Sequence, residues 1–83
     1  MQSKIKQSDT IPIGQNIRSI RLAKGIGQTE LVDLLQLQGV DLTRESLVKI
    51  ERDIQHIYAF QLKAIRDVLE TTYDALLQEK ENS

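Results

Sequence analysis

The chain has 83 residues, enough for one domain, and its 40% hydrophobic content is mostly aliphatic because only three residues are aromatic. The absence of cysteine excludes a disulfide framework, a thiolate zinc site and a cysteine nucleophile. The formal net charge of −1 excludes a strongly basic protein, but five of the six charged residues in 1–24 are basic, whereas residues 25–83 hold six basic and eleven acidic ones.

No apolar run approaches the ~20 residues of a membrane span, and the polar N-terminus lacks a secretory signal. We therefore expect a cytoplasmic protein with no membrane partner.

Proline and glycine mark the ends of the first two predicted helices. Pro12 suits the first turn of a helix because its φ is fixed and it lacks an N–H, and Gly25 and Gly27 end that helix. The second helix is predicted over 28–38, followed by Gly39 as a left-handed terminator. Spacings of three and four residues predict that the buried stripes of these helices are Ile13, Ile17, Ile20, Leu31, Leu34 and Leu35.

A third helix is predicted to begin after Thr43, whose hydroxyl can cap its N-terminus. Leu42 and Leu47 stand at the two positions of a hydrophobic staple around this cap. The helix should end near residue 52. The apolar stripe at helical spacing consists of Leu47, Ile50 and Ile54.

Two further helices complete the predicted chain. The fourth, over 58–69, faces inward through Leu62, Ile65 and Leu69, and Thr72 can cap a short fifth helix over 73–78. We interpret residues 1–10 as a flexible N-terminal tail, 11–78 as the folded domain and 79–83 as a C-terminal tail. No strand-like alternation of useful length is present, so the predicted fold is all-α.

Four segments follow one another in an order that is typical of one family. They are Ile13-Gly-Gln-Asn-Ile-Arg-Ser-Ile-Arg, Gly25-Ile-Gly-Gln-Thr-Glu-Leu, Ser46-Leu-Val-Lys-Ile-Glu-Arg and residues 62–77. Together they resemble the helix-turn-helix DNA-binding domain of XRE-type regulators and of the phage Cro and C1 repressors. The resemblance covers about residues 11–78. It implies a five-helix, lambda-repressor-like domain that binds double-stranded DNA as a homodimer, regulates transcription as a repressor does, and needs no cofactor.

The resemblance also implies which residues contact DNA. In this family the third helix enters the major groove, which here makes residues 43–52 the recognition helix. Arg44 and Lys49 can donate to guanine O6 and N7, and Glu45 can accept from cytosine N4 or repel phosphate. The alternative for these side chains is an ordinary solvated helix surface. The implied DNA-contacting residues are Gln28, Thr43, Arg44, Glu45, Ser46, Lys49, Arg52, Gln55 and His56.

Arg21 and Glu51 occupy positions that commonly form a buried ion pair in this family, between the first helix and the end of the third. Three features depart from the family pattern. The turn before Thr43 is about five residues longer than the compact form, which marks an extended-turn variant. Asp53 replaces a glycine and places an acid near the expected phosphates, and Val32 replaces an alanine at a close helix contact.

The residues argue against an enzyme and leave a second binding function open. The carboxylates are scattered, there is no glycine-rich phosphate loop, and the lone His56 suits neither a metal site nor a catalytic triad. The alternative to DNA binding is a protein-interaction module on the same fold, antitoxin-like or an adaptor, which the acidic second half of the chain favours. A regulatory protein partner is also compatible with the sequence. The dimer surface is first expected on the fifth helix, at Tyr73, Leu76 and Leu77.

Overall fold

The computed structural model describes residues 4–5 and 11–80 of the chain. Its helices are α1 (Ile13–Ala23), α2 (Gln28–Leu37), α3 (Arg44–Glu51), α4 (Ala59–Val68) and α5 (Tyr73–Leu76). This arrangement confirms the predicted all-α, five-helix fold, and α2, α4 and α5 are shorter than predicted by only one or two residues. Within the described residues, no helix is long and apolar enough to cross a membrane.

A two-residue strand pairing was not predicted from the sequence. Strand β1 (Lys4–Ile5) runs antiparallel to β2 (Ile57–Tyr58), with Lys4 opposite Tyr58 and Ile5 opposite Ile57. Strands this short carry no alternation pattern, so only the folded chain reveals them. Residues 1–3, 6–10 and 81–83 lie outside the described residues, and the two predicted tails remain predictions.

The helices enclose one aliphatic core. Both residues of the predicted staple are buried, at 3% exposure for Leu42 and 0% for Leu47. Ile20 and Val32 are partly buried against this core, and Leu34, predicted in the buried stripe of α2, is only half-buried. The fully or nearly fully buried side chains are Ile13, Ile17, Leu31, Leu35, Val40, Leu42, Leu47, Ile50, Ile57, Leu62, Ala64, Ile65, Leu69 and Leu76.

Two predictions about buried or exposed side chains were wrong. Ile54, expected to continue the stripe of α3, is 63% exposed. The helix ends at Glu51 and the left-handed Asp53 reverses the chain direction, so residue 54 does not continue the buried stripe. Ile57 enters the core in its place. Leu76, expected on a dimer surface, is also fully buried, so of the three residues expected there Tyr73 and Leu77 are exposed.

The threonine caps predicted for α3 and α5 are confirmed. The Thr43 hydroxyl accepts the backbone N–H of Ser46 at 3.0 Å, and the Thr72 hydroxyl accepts that of Ala75 at 3.1 Å. Such a bond satisfies one of the N–H groups that the first turn of a helix leaves without a partner.

Each of the four longer helices ends at a residue in the left-handed region. These residues are Gly25, Gly39, Asp53 and Glu70, with φ between 52° and 81°. After each of them, the next backbone N–H bonds back to a carbonyl in the last turn of the helix, as Ile54 N–H does to Lys49 at 3.0 Å. This is the Schellman arrangement, which reverses the chain direction and returns the following residue toward its own helix.

The long turn between α2 and α3 contributes to the core. It occupies residues 38–43, and both Val40 and Leu42 are buried there, at 8% and 3% exposure. The Val40 N–H donates to the Leu35 carbonyl oxygen at 3.0 Å. The turn therefore adds two aliphatic side chains to the core, while its other four residues are exposed.

Candidate nucleic-acid interface

The outward face of α3 forms a shallow concavity. Leu47 and Ile50 are buried against the core, which leaves Arg44, Glu45 and Lys49 exposed on the opposite side. The concavity is lined by Arg44, Glu45, Val48, Lys49, Arg52 and Ile54. Four of the predicted contact residues are therefore brought together on one surface.

The remaining predicted contact residues lie outside the lining of this concavity. Thr43 is exposed at the N-cap, and Ser46 is half-buried in the first turn of α3. Gln55 is half-buried and His56 exposed in the segment that leads to β2. Gln28 is the first residue of α2.

Sequence reasoning missed two residues of the surface, Val48 and Ile54. Val48 stands four residues after Arg44 on the same helix face, a spacing that would have found it. Ile54 had no such signal, since its helical spacing from Leu47 and Ile50 predicted burial.

A bidentate ion pair holds the end of α3 against α1. The Arg21 Nε donates to Glu51 Oε2 at 2.7 Å, and an Nη nitrogen donates to Oε1 at 2.8 Å. The other Nη donates to the Ile26 carbonyl oxygen at 2.9 Å. Arg21 is 5% exposed and Glu51 2%, so both charges are buried. These are the two positions for which the resemblance implies a pair.

The hydrogen bond to Glu51 raises the pKa of Arg21, against the opposing effect of burial. The guanidinium therefore keeps its charge throughout the neutral pH range. Arg21 is buried and charged, and all three of its guanidinium nitrogens donate hydrogen bonds within the protein. It is therefore not part of the exposed surface.

Gln28 is joined to the same carboxylate. Its Nε2 donates to Glu51 Oε1 at 3.0 Å, so that Glu51 receives hydrogen bonds from α1 and from the start of α2. An amide nitrogen carries two hydrogens, and this bond uses one of them. The resulting network fixes the N-terminus of α2 relative to α3.

Asp53 is directed toward α1, away from the concavity. It adopts φ of 60°, and its Oδ1 accepts the backbone N–H of Gly14 at 2.9 Å. Gly14 lies in the first turn of α1, where Pro12 at the N-cap offers no side-chain acceptor. The acid that the sequence placed near the phosphates therefore caps another helix.

These two arrangements change the charge that α3 presents. Of the three carboxylates between residues 43 and 53, Glu51 is paired with Arg21 and Asp53 is bonded to Gly14. Only Glu45 remains in the concavity, beside Arg44, Lys49 and Arg52. Within residues 11–80, none of these three cations takes part in an ion pair. The surface therefore carries an excess of positive charge on a chain whose net charge is negative.

Over residues 11–80, no group of three or more histidine, aspartate or glutamate side chains is close enough to hold a metal ion.

Comparison with known proteins supports the fold. No protein-family model matches the chain, and no solved structure matches it. A protein of Rickettsia prowazekii (strain Madrid E), named as an uncharacterized HTH-type transcriptional regulator, is 36% identical to the chain over 62 residues. The similarity covers 75% of this chain and 44% of that relative, so the chain spans less than half the relative's length. With the five helices, this similarity shows that the fold is a small all-α helix-turn-helix domain.

Proposed function

We propose that this chain is a sequence-specific DNA-binding transcription regulator of the XRE type, which inserts α3 into the major groove of double-stranded DNA. The observation that carries the proposal is the cationic concavity on the outward face of α3. Positive side chains neutralise phosphates, and the major groove of DNA is wide enough to admit an α-helix. The similarity to a protein named as an HTH-type regulator supports the same function.

The side chains of the concavity divide into two roles. Arg44 and Lys49, on the exposed face of α3, are proposed to donate to guanine, and Glu45 to accept from cytosine. Arg52 follows the helix and is proposed to contact phosphate.

The polar residues around the concavity are proposed to hold the DNA backbone. The remaining amide hydrogen of Gln28 and the free N–H groups at the start of α2 suit a phosphate oxygen. Contacts from the other predicted residues would fix the register of α3 in the groove. They are Thr43, Ser46, Gln55 and His56.

A homodimer on two related half-sites is part of the proposal. Helix-turn-helix dimers bind half-sites about one helical turn of DNA apart. Tyr73 and Leu77 on α5 are 38% and 37% exposed, and are the candidate apolar contacts between two copies. Repressor-like action by promoter occupancy, without a cofactor and in the cytoplasm, completes the proposed function.

Selection from a random duplex library, followed by binding measurements at several salt concentrations, tests this proposal. We expect one enriched sequence, and an affinity that falls with a log–log slope of about −0.9 per neutralised phosphate. Arg44→Ala and Lys49→Ala should each weaken binding to that sequence by about 5- to 150-fold, the effect of losing a bidentate base contact.

Lys63→Ala is the matched control for these variants. It also removes one exposed lysine, but from α4, outside the concavity. It should leave affinity for the selected sequence almost unchanged. A flat salt response, or equal losses in all three variants, would contradict the proposal.

A second surface favours the alternative function of a protein-interaction module, antitoxin-like or an adaptor. A groove between the α2–α3 turn and α4 is lined in part by Gly39, Val40 and Phe60. Leu37, at the end of α2, is 82% exposed, and Phe60 is 43% exposed. Failure to enrich any duplex sequence would favour this alternative over DNA binding.

A further inference from the structure

Two aliphatic side chains interrupt the charged lining of the α3 concavity. Val48 is half-buried at the middle of α3, and Ile54 is 63% exposed just beyond its end. Both line the concavity together with Arg44, Glu45, Lys49 and Arg52. The concavity is therefore apolar in part, and the charged part of its lining has three cations and one carboxylate.

The end of α3 places Ile54 on this surface. Asp53 adopts the left-handed conformation, and the N–H of Ile54 bonds back to the Lys49 carbonyl oxygen at 3.0 Å. A Schellman end of this kind brings the residue after the left-handed position toward the last turns of the helix. Because Asp53 is also bonded to Gly14, the position of Ile54 is held by contacts outside α3.

The way α3 ends does not explain why a side chain as large as isoleucine is exposed at position 54. Local packing against the helix would explain a covered isoleucine, yet most of the Ile54 surface remains in contact with solvent. An exposed aliphatic group that shares a concavity with three cations and one carboxylate suits a ligand that is mainly anionic and apolar at one point.

Double-stranded DNA has that combination. Its phosphates are anionic, and in the major groove the only apolar group on a base edge is the C5-methyl of thymine. We propose that Val48 and Ile54 form a contact site for this methyl group, and so select thymine at one step of the bound sequence. This inference rests on the proposed function and adds two specificity-determining residues to it.

Replacement of thymidine by deoxyuridine tests the inference, because it removes the C5-methyl group of the base and keeps every hydrogen-bonding atom. The protein would be titrated with its selected duplex and with duplexes in which single thymines are replaced in turn. At one or two positions per half-site we expect affinity to fall about four-fold, the effect of burying one methyl group. The other positions should show no change.

Two variants connect that effect to the concavity. Ile54→Ala and Val48→Ala should bind the thymine and deoxyuridine duplexes nearly equally, since the partner of the methyl group is shortened. Leu37→Ala is the matched control, because it shortens an exposed aliphatic side chain outside the concavity and should keep the four-fold ratio. Ile54 is mostly exposed, so Ile54→Ala decides the test even if Val48→Ala lowers stability.

The outcomes separate this inference from the proposed function. Binding to no duplex at all would overturn the proposed function, and the inference with it. A selective, salt-dependent binder that does not distinguish thymine from deoxyuridine would overturn the inference alone. So would a four-fold ratio that survives in Ile54→Ala.

Discussion

The carboxylate of Asp53 accepts a hydrogen bond from the backbone N–H of Gly14, 2.9 Å away, where the end of α3 meets the start of α1. The bond joins two residues whose own properties make the contact possible. Gly14 has no side chain to separate the helices, and Asp53 tolerates the left-handed conformation that directs its carboxylate back toward α1. With the Arg21–Glu51 pair, this contact joins the end of α3, which carries proposed DNA-contacting residues, to α1.

Gly14→Ala should destabilise the fold by about 2–3 kcal/mol, as overpacking of a tight contact does. A Cβ at this position would overlap the Ile50 carbonyl oxygen, which belongs to the backbone and cannot move independently of α3. Urea unfolding measures the change. Gln15→Ala is the control, because Gln15 is the next residue of α1 but is exposed. This variant should unfold as the wild type does. Equal stability of both variants would mean that α1 and α3 are not packed this closely.

Substitutions at Asp53 separate the cap from the backbone conformation. Asp53→Ala loses the bond to Gly14 and keeps a left-handed residue with a Cβ, so we expect a loss of about 1–2 kcal/mol. Asp53→Gly also loses the bond but removes the conformational cost, and should be about 1 kcal/mol more stable than the alanine variant. Thermal unfolding of both variants measures the difference. A glycine variant more stable than the wild type would show that the bond to Gly14 contributes little.

Arg21 and Glu51 should behave as a unit in a double-mutant cycle. Arg21→Met leaves Glu51 buried without its partner, and is expected to cost about 3–5 kcal/mol. The double variant Arg21→Met with Glu51→Leu should recover most of that loss, because no charge then remains buried without a partner.

The pKa of Arg21 sets the alkaline limit of this pair. Since that pKa is raised in the folded state, the contribution of the guanidinium is complete at neutral pH and is lost as pH rises through the pKa of the arginine. The unfolding cycle should therefore give the same coupling across the neutral range. If Arg21→Met leaves stability unchanged and abolishes DNA binding, the pair does not have this structural role.

The cap of α3 can be tested independently of DNA contacts. Thr43→Ala removes the acceptor for the Ser46 N–H and should cost about 1 kcal/mol of stability. Thr43→Ser keeps a hydroxyl at the same place and should be close to the wild type. Chemical denaturation of the two variants measures the cap. Binding to the selected duplex would then show whether Thr43 also contacts DNA, since a cap alone predicts no loss of affinity once both variants are fully folded.

The sequence was informative where local chemistry decides structure. A threonine directly before a helical stretch can cap it, as Thr43 and Thr72 do. Gly25 and Gly39 end helices because the left-handed conformation costs glycine little free energy. The isoleucine and leucine stripes predicted most of the core for a similar reason, since helical period and burial are linked. The pairing of Lys4–Ile5 with Ile57–Tyr58 had no such local signal.

By itself, the sequence determined that this protein is a small all-α domain with an aliphatic core, and where its helices begin and end to within one or two residues, because periodicity, caps and left-handed termini act over only a few residues. Only the tertiary structure decided the character of the α3 surface. It bonded Asp53 to Gly14, joined Glu51 to both Arg21 and Gln28, and left Ile54 exposed beside Val48. The three hydrogen-bonded contacts connect residues 23 to 39 positions apart in the chain, and the exposure of Ile54 depends on one of them, so no local pattern contains these features.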